Sequence, residues 1–106
     1  MELSQQKCEP CQIGTPPLTR EEAEELRKAT PEWSLGEDSI EREFDLKDFR
    51  AAMDFVNNVA ELAEEEGHHP DIFISYSKVR LELLTHKIKG LSKNDFVLAA
   101  KIDRIR

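Results

Sequence analysis

The three histidines of this 106-residue chain are gathered rather than scattered. His68 and His69 stand side by side, behind the acidic run Glu64-Glu65-Glu66 and Gly67 and ahead of Pro70. His86 follows after one stretch of apolar–polar alternation, and Asp95 comes shortly after it. An unperturbed imidazole titrates near pH ~6.5, so it can both give and take a proton under neutral conditions. Three imidazoles with Glu64 and Asp95 around one strand pair point to proton transfer or to metal binding.

A zinc site would use His68 or His69, His86 and a carboxylate, with one position open. Adjacent histidine side chains usually diverge, however, and no H-x-H or H-x-x-x-H pair is present. An acid–base site would use the imidazoles directly, one donating and one accepting, with nearby carboxylates orienting them. The plainest alternative makes His68 and His69 polar loop residues, Glu64 a solvated helix charge and Asp95 a helix cap. Spacing alone leaves all three open.

The elements that must position these residues follow from periodicity. Thr19-Arg20-Glu21-Glu22 has the form of a capping box, and Ala23, Leu26 and Ala29 recur at helical spacing before Pro31, which predicts a helix over 19–29. Trp33-Ser34-Leu35, a turn at Gly36-Glu37-Asp38-Ser39, and Ile40-Glu41-Arg42-Glu43-Phe44 predict a hairpin with Ile40 and Phe44 on one face. A second helix is predicted over 47–65 from Phe49, Ala52, Met53, Val56, Val59, Ala60 and Ala63. Phe55 and Leu62 lie off that stripe, which suggests either a broad core contact or a subunit interface. Gly67 ends the helix and Pro70 keeps it from resuming.

Ile72, Ile74 and Tyr76 predict a third strand and Val79, Leu81 and Leu83 a fourth, joined by a very tight turn at Ser77. Counting by twos from Lys78, Arg80 and Glu82 puts His86 on the polar side of that strand. Ser92-Lys93-Asn94-Asp95 is a second capping box, opening a third helix with Leu98, Ala99, Ile102 and Ile105 inward. The order is α-β-β-α-β-β-α, an α+β chain in which the out-and-back hairpin could return His86 to His68 and His69.

Composition narrows the function classes. A net charge of −7 argues against nucleic-acid binding, which needs cations to neutralise phosphates. No apolar run approaches the ~20 residues of a membrane span. The first seven residues lack the apolar core of a secretory signal, so a cytoplasmic location is expected. Residues 1–17 read as an irregular arm and 18–106 as a single domain. The arm carries Cys8 and Cys11 in C-x-x-C spacing among prolines and Gly14, the setting of a loop. A mobile tail, an intersubunit or adventitious metal site and a redox pair are the readings open to it.

The run Glu64-x-x-x-His68-His69-Pro70, then Tyr76, His86, Gly90-Leu91-Ser92 and Asp95, resembles the signature of the pterin-4a-carbinolamine dehydratases. Trp33, Ile40-x-Arg42-x-Phe44, Phe49, Phe55, Val59-Ala60 and Leu98-Ala99-x-x-Ile102-Asp103 are also similar to that family, over about residues 18–105. The resemblance implies a four-stranded antiparallel sheet with three helices packed on one face. It implies a hydro-lyase without metal or cofactor that dehydrates 4a-hydroxytetrahydropterin to quinonoid dihydropterin, in the recycling of tetrahydropterin used by aromatic amino-acid hydroxylases. His68, His69 and His86 match the family's active-site histidines. On that footing His69 and His86 are the expected proton donors at the departing hydroxyl and His68 a binder or base. Glu64 and Asp95 match carboxylates that position the pterin and tune the imidazoles, and Thr85 sits where the backbone lines the pocket. Gly67 departs from an acidic residue that some members carry there. A homodimer or homotetramer is implied, using sheet edges and the second helix. A non-catalytic binding or dimerisation module of the same fold, and a zinc site using cysteine and histidine, are the alternatives.

Overall fold

Helix α1, Arg20–Arg27, begins where Thr19 adopts extended backbone and accepts from the Glu22 amide, while the Glu22 carboxylate reaches back to the Thr19 amide. This is the capping box expected from sequence, and it satisfies two backbone donors that a helix start leaves unpaired. The structure is a computed structural model and describes residues 3–6, 8 and 16–105. After α1 come β1 (Ser34–Leu35), β2 (Ile40–Asp45), α2 (Phe49–Glu66), β3 (Asp71–Ser75), β4 (Lys78–Leu83) and α3 (Lys93–Ile105). The four strands form one antiparallel sheet in the order β1-β2-β4-β3. The α+β class and the α-β-β-α-β-β-α order are those expected.

Strand alternation builds the core. Ile40 and Phe44 of β2 and Val79, Leu81 and Leu83 of β4 are all buried, while Glu41, Glu43, Lys78, Arg80 and Glu82 point to the opposite face. That opposite face is laced by cross-strand charge pairs, Arg80 with Glu41 and Lys78 with Glu43. The buried face meets α2 and α3. Trp33 is fully buried, packs edge-on to Phe44 at 6.2 Å between ring centroids, and donates its indole N–H to Asp103.

The inward face of α2 is Ala52, Phe55, Val59 and Ala63, a regular series at helical spacing. It is rotated from the stripe expected in the sequence: Phe49 is half-exposed and Ala60 is exposed. Phe55 has surroundings that match the broad core contact, one of the two readings open to it. It is 5% exposed and lies against Phe44 with centroids 4.7 Å apart. The aromatic pairing with β2 decides which side of α2 turns inward, and single-sequence periodicity cannot see a partner on another element.

Register places the site. Asp71 pairs with Glu82 and Ile40 with Leu83, so the start of β3, the end of β4 and the start of β2 share one end of the sheet. The connection between α2 and β3 and the segment following β4 therefore lie side by side. At the other end, Ser75 pairs with Lys78, leaving Tyr76-Ser77 as a two-residue hairpin loop with Tyr76 in the left-handed region at φ 53°.

Candidate active site

The α2–β3 connection is shaped by Gly67, whose φ of 68° ends the helix in the left-handed conformation that glycine adopts at least cost. The Gly67 and His68 amides both turn back to the Ala63 carbonyl. That reversal sends His68 inward and leaves His69 on the rim. The His68 side chain is 13% exposed and that of His69 59%.

The segment after β4 supplies the facing wall. β4 ends at Leu83, and His86–Ile88 forms one 3-10 turn. Thr85 and Gly90 close it as an isolated antiparallel bridge. His86 is exposed, as expected, but for a different reason: the strand has ended, and the turn rather than strand alternation faces it outward.

These two segments enclose a cleft of ≈ 350 Å³, within the range of small-molecule sites. His68, His69, Thr85 and His86 line it together, with Leu84 and Lys87 on the β4 side. The three histidines and Thr85 are thus brought to one cavity. Glu64 and Asp95 stand behind the imidazoles rather than in the lining. Glu64, itself largely exposed, makes a short hydrogen bond to His69 Nε2. Asp95 is fully buried and has three partners: Oδ1 lies 2.5 Å from His68 Nε2, and Oδ2 accepts from Thr85 Oγ1 and from the Ser92 amide, each at 2.9 Å.

The second capping box is therefore half present. The Asp95 carboxylate reaches the Ser92 amide, while the Ser92 hydroxyl lies 2.7 Å from Thr85 Oγ1. One carboxylate joins the first turn of α3 to both walls of the cleft. Among the described residues, no group of three or more His, Cys, Asp or Glu side chains could hold a metal ion.

Sequence reasoning missed the N-terminal contribution. Cys8 is half-buried and lines the cleft; its amide donates to Glu66 Oε1 at 2.9 Å and its thiol to the Asn94 carbonyl at 3.6 Å. Glu66 also pairs with Lys101 at 3.3 Å. Nothing in a C-x-x-C pattern signals this docking, because the partners lie 58 and 86 residues away. Cys11 lies outside the described residues. Burial, reinforced by the Glu66 carboxylate, pushes the Cys8 thiol up to about 12. The thiolate is the reactive form, so in a Cys11→Ser background Cys8 should react with a maleimide at pH 8 roughly a hundredfold or more slowly than an unhindered thiol. The rate should climb with each pH unit up to the limit of stability. Rapid labelling at pH 7–8 would show that Cys8 is not seated against Glu66 and Asn94 as described.

The pterin 4 alpha carbinolamine dehydratase family profile matches residues 16–105 of the chain. The chain belongs to this dehydratase family. A Rubrobacter xylanophilus protein carrying a provisional pterin-4-alpha-carbinolamine dehydratase name is 48% identical over 105 residues, 98% of each chain. A Methylococcus capsulatus protein with the same provisional name is 49% identical, over 97% of this chain and 92% of its own. The crystal structure of a transcriptional coactivator/pterin dehydratase from Brucella melitensis superposes with a TM-score of 0.79 at 35% identity, covering 84% of this chain and 97% of that one. A pterin dehydratase-like protein described as a RuBisCO assembly factor in the alpha-carboxysome shares the fold at 22% identity and a TM-score of 0.59, over 69% of this chain and 87% of that one. The cleft at the sheet end thus sits in the dehydratase fold.

Proposed function

We propose that the chain dehydrates 4a-hydroxytetrahydropterin to quinonoid dihydropterin and water by histidine acid–base catalysis. The observation that carries this reading is the convergence of His68, His69 and His86 on one cleft, each in a different setting. Loss of water needs two proton movements. The 4a-hydroxyl must receive a proton as its C–O bond breaks. The neighbouring ring N–H must release one as its electrons form the new C=N bond. One group must be an acid while another is a base.

His68 suits the base. Asp95 at Nε2 holds the proton on that nitrogen of the neutral ring and leaves Nδ1 with a lone pair. His69 and His86 suit the acid. Both lie at the exposed side, where a spent imidazole recovers its proton from water. Glu64 fixes the ring of His69, whereas the ring of His86 takes no hydrogen bond from a described residue and is free to meet the hydroxyl. Asp95, buried behind His68, is a positioning residue in this scheme, and Thr85 is held by it at the cleft wall.

The direct test is an assay on freshly generated 4a-hydroxytetrahydropterin, before and after dialysis against a strong chelator. The expected result is dehydration well above the spontaneous rate, unchanged by the chelator. A rate no faster than the spontaneous one would overturn the reading, and activity lost to chelation and restored by zinc would overturn its metal-free mechanism.

A further inference from the structure

One cation at the cleft has no carboxylate partner among the described residues. Glu66 is paired with Lys101, and the Asp95 and Glu64 carboxylates are each occupied by a hydrogen bond with an imidazole, His68 and His69. Lys87 lines the same cleft, directly after His86, and no described carboxylate pairs with it. Lys89 and Lys93 follow, and residues 84–94 contain neither Asp nor Glu. In a chain with 22 acidic and 15 basic residues, the cationic stretch coincides with one lip of the cavity. Isolated surface lysines commonly need no explanation. This one differs because its backbone is held in place.

The Thr85 amide donates to the Gly90 carbonyl at 2.8 Å, and the Ile88 and Lys89 amides return to Thr85 and His86, each at 3.2 Å. Ile88 is buried beneath the turn. Lys89 sits at φ 53°, a left-handed conformation that costs a non-glycine residue of order 1 kcal/mol or more and persists only where its surroundings impose it. Gly90 is packed so closely on Pro17 that a Cβ would lie 2.7 Å from the proline ring. The turn that presents His86 therefore also fixes where Lys87 leaves the backbone. A lysine stem spans roughly 6 Å by its bond lengths, enough to bring its ammonium over the open end of the cleft. The largely buried His68 and the buried Thr85 belong to the lining, as do the exposed His86 and Lys87, so a flat ring seated against the former pair would direct its substituent toward the latter.

We propose that Lys87 selects substrates whose pterin ring carries an anionic side chain, a carboxylate or a phosphate, over those with a neutral one. This rests on the dehydratase reading and names the substrate class within it. A lysine ammonium acts as a compact point charge and is not restricted to one oxyanion geometry. Carboxylate and phosphate are therefore both accepted, and the experiment separates them.

The test compares kcat/KM for 4a-hydroxytetrahydropterins bearing a hydroxyalkyl, a carboxylate-terminated or a phosphate-terminated substituent. Alongside it, equilibrium binding of the corresponding dihydropterins is measured. At low salt the wild-type preference for an anionic tail should be about tenfold in both measurements, shrinking as ionic strength rises to about 0.5 M. Lys87→Gln should bring the preference ratio close to unity, Lys87→Glu should invert it, and Lys87→Arg should keep it. A larger ratio for one anion names the natural tail. Equal binding of neutral and anionic tails by the wild type would overturn the proposal, as would a preference that survives in Lys87→Gln. Absence of dehydration with every substrate would refute the catalytic reading instead, while the binding ratios would still decide the role of Lys87.

Discussion

Alanine at His69 or at His86 is expected to lower turnover of 4a-hydroxytetrahydropterin by about 10²–10⁴-fold, the usual loss when a positioned acid or base is removed. Stability should move by no more than about 1 kcal/mol, as for ordinary substitutions outside the core. The structure supports the separation. Neither imidazole contributes to the packed interior. His69 lies on the rim with Glu64, and His86 stands on a turn whose buried anchor is Ile88, two residues on. Truncation opens no cavity and strands no buried donor. Thermal melts with single-turnover kinetics would show both halves of the result. Near-wild-type turnover in both variants would sink the assignment of these residues to catalysis.

Asp95 should behave in the opposite way. Its carboxylate is completely buried and serves His68, the Thr85 hydroxyl and the Ser92 amide. Asp95→Ala strands those groups, each costing about 1–3 kcal/mol when left unsatisfied away from water. A combined loss of about 3–5 kcal/mol is expected. For a domain this size, each kcal/mol lowers the melting temperature by about 4–8 °C. Asp95→Asn is the sharper probe. With its oxygen in the place of Oδ2 it keeps the Thr85 hydroxyl and the Ser92 amide, but its NH₂ then faces His68 Nε2, so about a third of that loss should remain. Activity should fall further than stability, because His68 loses the acceptor that fixes its proton. If Asp95→Asn melts and turns over like the wild type, Asp95 is a helix cap and nothing more.

Much of this architecture is legible in the chain, for identifiable reasons. Thr19 and Glu22 announce α1, Gly67 stops α2, and alternation from Val79 to Leu83 marks β4, because each signal is read within a few residues. The convergence of His68, His69 and His86 follows from an antiparallel hairpin short enough to return on itself. What escaped depends on partners distant in sequence. The true inner side of α2 is set by Phe44 against Phe55. The half-buried Glu66–Lys101 pair and the seating of Cys8 between Glu66 and Asn94 leave no local trace. The triple duty of Asp95 is half visible: its cap on Ser92 can be read from spacing, whereas its hold on His68 and Thr85 requires the fold. Counting by twos to His86 reached the right exposure through a strand that stops three residues earlier.

The two-residue loop Tyr76-Ser77 stands at the end of the sheet remote from the cleft. With β3 rising about 3.3 Å per residue, it lies roughly 17 Å or more from the histidine pair. Tyr76 is 70% exposed. Chemistry and hairpin tip are thus held apart by a rigid ladder. For protein engineering, this makes the tip a natural attachment point: a fluorophore, a surface tether or an inserted peptide there is spaced from the imidazoles by paired strands rather than by a flexible linker.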